Sequence, residues 1–240
     1  SDYSITVMSG NFTQRGDISI VDKWSKAQMA IENGIDLVIE LPTVYAISSA
    51  ENFASGAIKI LDSLGIVDFV AFGSECSDIS ILQQVTDVLA NEPPEYKTLL
   101  SHELDKGVSF PKARERALMM YLNDVRRFAN VLSSSNNILG IEYLKALKRQ
   151  KSIIQPITIK REGNNYNDNT IPTDSQFASA TSLRKLCATH HSDILQSFMP
   201  EASYNILNNA MENGNIVKDI SDFDEIIIYT LRKMSTNEIA

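Results

Sequence analysis

The sequence predicts an α/β protein with a doubly wound, mostly parallel sheet, and three short apolar runs are the first observation behind that prediction. The runs are SITVMS, DLVIELP and DFVAFGSE, each apolar nearly throughout, which is typical of parallel strands covered on both faces. Segments of helical periodicity separate the runs, and this is the second observation. Because parallel strands need a crossover connection, the alternation of strand and helix predicts right-handed βαβ units.

The two connecting helices have recognisable ends. VDKWSKAQMAIENG has Asp22 as its candidate N-cap and stops at Gly34, and SAENFASGAIKILDSLG has Ser49 and Gly65 in the same positions. A short polar side chain accepts hydrogen bonds from the first free N–H groups of a helix, and glycine takes the left-handed conformation that often follows its last turn. Both segments are therefore predicted to be capped helices.

The middle of the chain, 79–151, predicts helices interrupted at 91–94, at Gly107 and at 133–137. IIQPITIKR then predicts a fourth strand, in which Pro156 favours an edge position or a bulge because proline cannot donate to a ladder. A polar loop and further helices follow, the latter around 193–198, 202–211 and 225–234. Three aromatic residues fall on apolar helix faces and are predicted to be core: Trp24, Phe53 and Tyr143.

These segments predict two domains. Residues 1–190 form the α/β domain, which includes the helical, basic part 79–151, and residues 191–240 begin a helical C-terminal domain. With 43% hydrophobic and 22% charged residues, the composition is that of an ordinary globular protein. No apolar run approaches the roughly 18 residues that span a bilayer. We therefore expect a cytoplasmic protein without a membrane or secretory segment.

The two cysteines, Cys76 and Cys187, show neither metal-ligand spacing nor a disulfide framework. We expect both thiols to be packing residues, and no metal held by the protein's own side chains. A serine nucleophile is disfavoured because the Gly-x-Ser-x-Gly elbow is absent from the sequence.

Charge is distributed unevenly along the chain. The net charge is −8, yet the segment 106–161 holds twelve Lys and Arg against three Asp and Glu, so it carries +9 and the remainder −17. Such a segment can form an anion-binding or nucleic-acid-binding face on an acidic protein. A solvated helix surface explains the same charges equally well.

Several candidate ligand-binding residues lie where predicted strands end. Ser9 and Gly10 follow the first run, Gly73 lies in the third and Arg161 follows the fourth. Ligands of open parallel sheets bind beyond the carboxyl ends of the strands, so these residues are expected to share one rim. Glycine permits close approach to the backbone, and arginine binds phosphate through two parallel hydrogen bonds.

The stretch FASATSLRK, residues 177–185, predicts a helix that begins near Thr181 or Ser182. A helix N-terminus with adjacent hydroxyls and a cation can bind an anion. An ordinary capped surface helix is the alternative. Convergence of this helix with the strand exits favours a nucleotide site.

Five stretches together resemble the tRNA(Met) cytidine acetate ligase family: VMSGNFTQRGD, KWSKAQMAIENGIDLVIELP, FGSE, SNNILGIEYLKAL and ASATSLRK. The resemblance implies a Rossmann-like nucleotidyltransferase fold related to class I aminoacyl-tRNA synthetases. It implies an ATP-dependent ligase that activates acetate as acetyl-adenylate and transfers acetyl to the wobble cytidine of elongator tRNA(Met), forming acetylcytidine. ATP, Mg²⁺, acetate and tRNA are the implied cofactors and partners.

The resemblance also implies roles for individual residues. ATP would be bound by Gly73, Asn137, Arg161, Thr181, Ser182 and Arg184, with Ser179 nearby. The substrate or phosphate side would be lined by Ser9, Gly10 and Arg15. The tRNA would be bound by Arg126, Arg127, Lys145, Lys148, Arg149 and Lys151. Without the resemblance, Gly73 fits a tight turn, Asn137 a helix cap and Arg161 a surface cation equally well or better.

One motif of the superfamily is missing from this sequence. His-x-Gly-His should follow the opening strand, but the histidines here are His102, His190 and His191, so no catalytic residue is assigned. We expect the chain to lack that strand and its phosphate-binding loop, to stop within a longer helical region, and to be impaired by itself. The alternatives are an adenylyltransferase for a small cofactor precursor and a non-catalytic nucleotide-binding domain.

Overall fold

The computed structural model describes residues 2–14, 16–161, 180–188, 192–217 and 219–239. The chain divides into two compact units. Unit 1 comprises Ser1–Ile47 and Gly163–Ala240, and unit 2 comprises Ser48–Glu162. The predicted domain boundary after residue 190 falls outside the described residues and stays a prediction.

The regular elements follow one another in the order that the sequence predicts. In unit 1 they begin with β1 (Ile5–Ser9), α1 (Lys23–Glu32), β2 (Leu37–Leu41) and α2 (Thr43–Ala46). Unit 2 holds α3 (Ala50–Ser63), β3 (Phe69–Ser74), α4 (Ile79–Asn91), α5 (Pro94–Asp105), α6 (Phe110–Tyr121), α7 (Val125–Phe128), α8 (Ser135–Gln150) and β4 (Gln155–Lys160). Unit 1 resumes with α9 (Ala180–Ala188), α10 (Ser192–Leu195), α11 (Glu201–Glu212), α12 (Asp224–Lys233) and α13 (Thr236–Ile239), and short 3₁₀ turns occupy Gln196–Phe198 and Ile220–Phe223.

Within the described residues, each unit contains one parallel strand pair. In unit 1, β1 pairs with β2, and Ile5 lies opposite Leu37. In unit 2, β3 pairs with β4, and Pro156 lies opposite Val70. Within the described part of the chain β4 has a ladder with β3 alone, so the predicted edge position of Pro156 is confirmed.

The predicted helix ends are confirmed. The Asp22 carboxylate accepts hydrogen bonds from the N–H groups of Trp24 at 2.7 Å and Ser25 at 3.0 Å. The Ser49 hydroxyl accepts one from the N–H of Asn52 at 3.3 Å. These bonds satisfy donors that the first turn of a helix leaves free. Gly34 follows α1 with a φ of +96°, the left-handed conformation that ends the helix.

The core of unit 1 includes a cluster in which α9 packs on other helices. The buried members are Val21, Leu186, Cys187, Leu195, Leu207 and Ala210. Cys187 is 3% exposed and burial raises the pKa of its thiol, as expected of a packing residue. The Cys187 thiol is therefore protonated at neutral pH.

The prediction that Trp24 is a core residue is wrong. Its side chain is 76% exposed, and the Lys23 ammonium lies 5.4 Å from the centre of its ring. Helix α1 has no buried residue among those described, and Met29, on a different face from Trp24, is the α1 residue that packs against the core cluster of unit 1. In unit 2, by contrast, Tyr143 packs its ring 5.7 Å from that of Phe72, on the side of β3 that faces α8.

None of the helices in the described part of the chain is both long and apolar enough to cross a membrane.

Candidate nucleotide site

The exit of β3 in unit 2 is clamped by Asn137. The Asn137 side-chain oxygen accepts hydrogen bonds from the N–H groups of Glu75 and Cys76, each at 3.0 Å. Asn137 is 3% exposed, so these bonds satisfy two backbone donors in a dry environment. The N-cap of α8 is Ser134, so the alternative that Asn137 caps this helix is wrong.

The Glu75 carboxylate binds the start of α8 in return. One oxygen accepts from the side-chain amide of Asn136 at 2.6 Å, and the other from the Asn137 N–H at 3.0 Å. A carboxylate at this place interacts favourably with the free N–H groups and the dipole of the first helical turn. Residues 75 and 137 therefore satisfy each other reciprocally, and these bonds hold the turn after β3 against the start of α8.

Arg161 joins this network from the end of β4. Its N–H donates to the Ser74 carbonyl at 3.0 Å, and its guanidinium donates to the Asn136 side-chain oxygen at 3.1 Å. Asn136 thus connects the Glu75 carboxylate to the Arg161 guanidinium. Arg161 is exposed, so a pre-oriented cation faces solvent at the strand exit. A guanidinium held in this way suits bidentate binding of a phosphate group.

Gly73 makes room for Arg161. A methyl group at Gly73 would lie 3.1 Å from the Arg161 Cγ, closer than ordinary packing allows. Gly73 does not have a positive φ among the backbone angles of the described residues, so a left-handed turn is not the reason for glycine here. The structure supplies a third reason, because the arginine stem crosses directly above this position.

Ser74 and Thr158 lock the two strands together below the site. Ser74 is fully buried, and its hydroxyl lies 2.5 Å from that of Thr158. The same hydroxyl accepts a hydrogen bond from the Ser77 N–H at 3.0 Å, in a turn where Ser77 has a φ of +52°. The loop that follows β3 is therefore held by side-chain hydrogen bonds from both neighbouring elements.

The exit of β1 in unit 1 is held by a cation instead. The Lys26 ammonium donates to the carbonyls of Ser9 at 2.8 Å and Gly10 at 2.9 Å, and to the Ser19 hydroxyl at 3.1 Å. Burial is the main cause that lowers the pKa of Lys26, the charge of Arg184 adds to the lowering, and Glu40 opposes it. The three acceptors use the three N–H donors of the ammonium group.

Gly10 lies directly beneath Glu40. A methyl group at Gly10 would overlap a carboxylate oxygen of Glu40, which itself pairs with the Lys23 ammonium at 2.6 Å. Ser9 and Gly10 are therefore at a polar strand exit, as predicted. Arg15, predicted to lie with them, falls outside the described residues.

The predicted helix of FASATSLRK is confirmed as α9, and its predicted site residues are in unit 1. Ser182 is 1% exposed, and Arg184 is half-buried. Ser179 and the side chain of Thr181 fall outside what the structure describes. Gly73, Asn137 and Arg161 belong to unit 2, so the convergence of both groups on one triphosphate stays a prediction.

The basic residues predicted to bind tRNA lie in different environments. Lys145 is buried, and its ammonium pairs with the buried Glu142 carboxylate at 2.8 Å. Lys148 pairs with Asp87 at 2.6 Å on the surface, and Arg149 pairs with Glu51. The remaining three, Arg126, Arg127 and Lys151, are exposed.

Among the residues that sequence reasoning missed in these networks, Glu75, Asn136 and Lys26 make the most contacts. Glu75 and Asn136 stand in FGSE and SNNILG, next to the predicted Gly73 and Asn137, and Lys26 stands in KWSK. The signal that could have identified them is that all three lie in stretches that carry the family resemblance. Their partners lie 7 to 62 residues away along the chain, so most of the contacts have no local signature. Among the described residues, no group of three His, Cys, Asp or Glu is arranged to hold a metal ion.

Comparison with known proteins identifies the family of this chain. The full sequence, residues 1–240, matches the profile described as HIGH Nucleotidyl Transferase. The chain belongs to the HIGH nucleotidyl transferase family. The predicted nucleotidyltransferase relationship and the α/β fold are thereby confirmed.

Two curated relatives of this chain carry the same name. The chain is 50% identical over 230 residues to the tRNA(Met) cytidine acetate ligase of Caldanaerobacter subterraneus subsp. tengcongensis, covering 96% of this chain and 57% of the relative. It is 46% identical over 243 residues to the Acetivibrio thermocellus protein of the same name, covering 100% and 58%. The predicted resemblance is confirmed, and the chain spans somewhat more than half the length of these relatives.

Solved structures of the family show the same fold. The apo crystal structure of Thermotoga maritima TmcAL superposes with a TM-score of 0.89 at 37% identity, covering 98% of this chain and 56% of that one. The structure of Thermotoga maritima TmcAL bound with α-thio ATP gives a TM-score of 0.79 at 40% identity, covering 90% and 50%. A Rossmann-like nucleotidyltransferase architecture is therefore established for this chain.

Proposed function

We propose that this chain is the nucleotide-activating part of an ATP-dependent ligase that acetylates the wobble cytidine of elongator tRNA(Met) in the cytoplasm. The observation that carries the proposal is the Arg161 guanidinium, exposed yet oriented by Asn136 at the exit of β3 and β4. Relatives at 46–50% identity are named tRNA(Met) cytidine acetate ligase, and a structural neighbour is bound with α-thio ATP. Both support the same reaction.

Formation of acetyl-adenylate requires the protein to position the substrates and neutralise charge, and it requires no nucleophile from the protein. An acetate oxygen attacks the α-phosphorus of ATP, the bond to the β-phosphate bridge breaks, and pyrophosphate leaves with the electron pair. In the proposal Arg161, Gly73 and Asn137 form the ATP-binding exit of unit 2. Asn137 acts here through its clamp on the Glu75–Cys76 backbone.

The phosphates of ATP need further positive charge. We place the β- and γ-phosphates at the N-terminus of α9, with Thr181, Ser182 and Arg184. Mg²⁺ would join the phosphates, since it usually binds through phosphate oxygens and water rather than through a cage of protein side chains. Ser9, Gly10 and Arg15 would line the acetate or phosphate side, where Lys26 holds the backbone of the first two.

In the second step the exocyclic amine of cytidine attacks the acetyl carbonyl, the bond from the carbonyl carbon to the AMP phosphate oxygen breaks, and AMP leaves while the amine nitrogen loses a proton to solvent. The tRNA would bind through the exposed cations of unit 2, whose contacts with phosphate supply affinity rather than base selection. These are Arg126, Arg127, Lys148, Arg149 and Lys151. Lys145 is left out of this surface because its ammonium is buried against Glu142.

Isotope exchange between pyrophosphate and ATP tests the first step in the full-length protein. We expect exchange that depends on acetate and on Mg²⁺, and that is lost with chelator. Arg161→Ala should reduce it by about a hundredfold, since one charged transition-state contact contributes about 3 kcal/mol. Lys160→Ala, the neighbouring exposed lysine, is the control and should change exchange by less than about threefold. Exchange indifferent to acetate would instead favour an adenylyltransferase for another carboxylate or phosphate substrate.

A further inference from the structure

A cavity of about 400 Å³ lies in the helical part of unit 2, away from the strand exits. Helices α3, α4, α5, α6 and α8 supply its walls. None of its lining residues belongs to the network of Glu75, Asn136 and Arg161. The volume is in the range of small-molecule sites and is large enough for one nucleotide. The cavity is therefore a separate candidate site.

The charge of the cavity favours an anion. Four cations line it, Lys97, Arg114, Lys145 and Arg149, against the two carboxylates of Glu51 and Glu92. Three of the four cations have carboxylate partners: Lys97 lies 3.5 Å from Glu92, and Lys145 and Arg149 pair with Glu142 and Glu51. Arg114 has no ion pair among the described residues.

Arg114 also carries an unsatisfied donor. Its Nε is buried and lacks a hydrogen-bond partner within the described part of the chain. Buried polar groups are normally satisfied, and each exception calls for an explanation. A phosphate in the cavity would neutralise the otherwise unpaired charge of the Arg114 guanidinium, whose planar fork of donors matches phosphate oxygens.

Aromatic rings complete the recognition surface. Tyr96 is 1% exposed in the cavity wall, and its ring meets that of Tyr121 edge to face with centroids 6.1 Å apart. Phe110, at the start of α6, lines the same cavity with 54% of its surface exposed. An exposed ring beside a cation is the arrangement on which unpaired bases stack while their phosphates are neutralised.

We propose that this cavity binds one unpaired nucleotide of the RNA substrate, with its phosphate on Arg114 and its base against Phe110. The inference rests on the proposed function, and it adds an anchoring site to the salt-dependent contacts described there. Arg149 connects the two regions, since it lines the cavity and lies in the last turn of α8 beside Lys148. The occupant is a polynucleotide rather than free ATP, because the exposed cations Lys148 and Lys151 lie beside Arg149 in the chain and outside the cavity.

Titration of full-length protein with fluorescently labelled elongator tRNA(Met) tests the cavity. Arg114→Gln and Phe110→Leu should each weaken binding by about tenfold, since a charged hydrogen bond or one stacked base contributes on that scale. Lys112→Gln is the control: it removes the same charge from the same helix, at an exposed position outside the cavity, and should change affinity by less than about twofold.

Ultraviolet cross-linking followed by mass spectrometry gives a second readout on the wild-type protein, independent of whether a variant folds. We expect an RNA adduct on the peptide that contains Phe110. If the wild-type protein binds tRNA but Arg114→Gln and Lys112→Gln bind it equally well, the cavity proposal is overturned. An RNA adduct found only on other peptides overturns it too. Neither result affects the proposed function. Absence of tRNA binding by the wild-type protein overturns the proposed function. Competition by 5′-CMP without any effect of the variants on tRNA would show a mononucleotide site and also overturn the proposal.

Discussion

At the ends of β1 and β3, backbone polar groups are satisfied by a single side chain, but the two side chains have opposite hydrogen-bonding roles. In unit 1 the Lys26 ammonium binds two backbone carbonyls, those of Ser9 and Gly10. In unit 2 the Asn137 amide oxygen binds two backbone N–H groups, those of Glu75 and Cys76. A strand exit can therefore be closed by a donor or by an acceptor, depending on which backbone groups the turn leaves unpaired.

The choice of closing group decides what each exit can offer a ligand. In unit 1 the cations Lys26 and Lys23 are engaged with carbonyls and with Glu40. In unit 2 a neutral amide closes the turn, so the Arg161 guanidinium stays exposed. Unit 2, which has the exposed cation, is also the less negative of the two units. Unit 1 has eight Lys and Arg against sixteen Asp and Glu, and unit 2 has fourteen of each.

The largest expected effect comes from opening the exit of unit 2. Asn137→Ala leaves two buried N–H groups without an acceptor, and we expect a loss of about 3 kcal/mol in the free energy of unfolding. Asn136→Ala, its neighbour, should cost about 1 kcal/mol while weakening ATP binding, because it releases Arg161. Urea denaturation and ATP titration of both variants separate stability from binding. If Asn137→Ala and Asn136→Ala lose equal stability, the two hydrogen bonds accepted by the Asn137 side chain do not make the expected contribution.

Alkaline pH should change the stability of the two units in opposite directions. Burial raises the pKa of Tyr143 from its ordinary value of 10.0 to about 12. Between these values the folded state holds a proton that the unfolded chain has lost, so this contribution to stability falls as pH rises. At about pH 11.5 the loss is about 2 kcal/mol, and Tyr143→Phe should remove it.

Lys26 should make stability change with pH in the opposite direction, and the same experiment measures it. Its pKa is lowered in the folded state, mainly by burial. Below the ordinary value of 10.5 the unfolded chain then binds more protons, so this contribution rises with pH in the alkaline range. Lys26→Met should remove the rise. Urea midpoints of the wild type and both variants, measured from pH 8 to 11.5, give the pH dependence of stability that each residue contributes. If the two contributions change with pH in the same direction, the prediction is wrong.

Two glycines in contact with side chains should respond unequally to the same substitution. A methyl group at Gly140 would lie 2.6 Å from the Phe72 ring, which is 8% exposed and cannot move away. We expect Gly140→Ala to cost about 1–3 kcal/mol, despite alanine's better helix propensity.

Gly10→Ala would meet only the flexible end of Glu40, so it should cost less than about 1 kcal/mol. Thermal unfolding of both variants makes the comparison. The double variant Gly140→Ala with Phe72→Leu should cost less than the sum of its single changes, since the smaller side chain relieves the overlap. Strict additivity would mean that the ring is not the obstacle.

The smallest effect is expected at the ion pair of Lys23 and Glu40. Their side chains are 35% and 43% exposed, so water and salt screen the attraction. Lys23→Gln should lower the free energy of unfolding by less than about 1 kcal/mol, and the difference should vanish at about 1 M salt. Denaturation at low and high salt checks this. A salt-independent loss would point to packing of the lysine stem on Trp24 instead.

The local features of the fold were predictable because their causes lie within a few residues of one another. Asp22 and Ser49 bond to N–H groups two or three positions further on, and Gly34 ends its own helix. The apolar runs predicted all four strands, but the expectation that both faces of each strand are covered is wrong for β3, which alternates exposed and buried residues because one face alone packs against helices.

Tertiary structure decided everything that depends on distant partners. The exposure of Trp24, the burial of Lys145 with Glu142, and the Asn137 clamp on residues 62 and 61 positions earlier follow from which surfaces meet. Helical spacing identifies a stripe but not what covers it, and an asparagine in sequence does not show which donors its amide will reach. By itself the sequence thus determined the strands, the caps and the family resemblance, whereas only folding decided which polar groups are committed to the backbone and which remain available to a ligand.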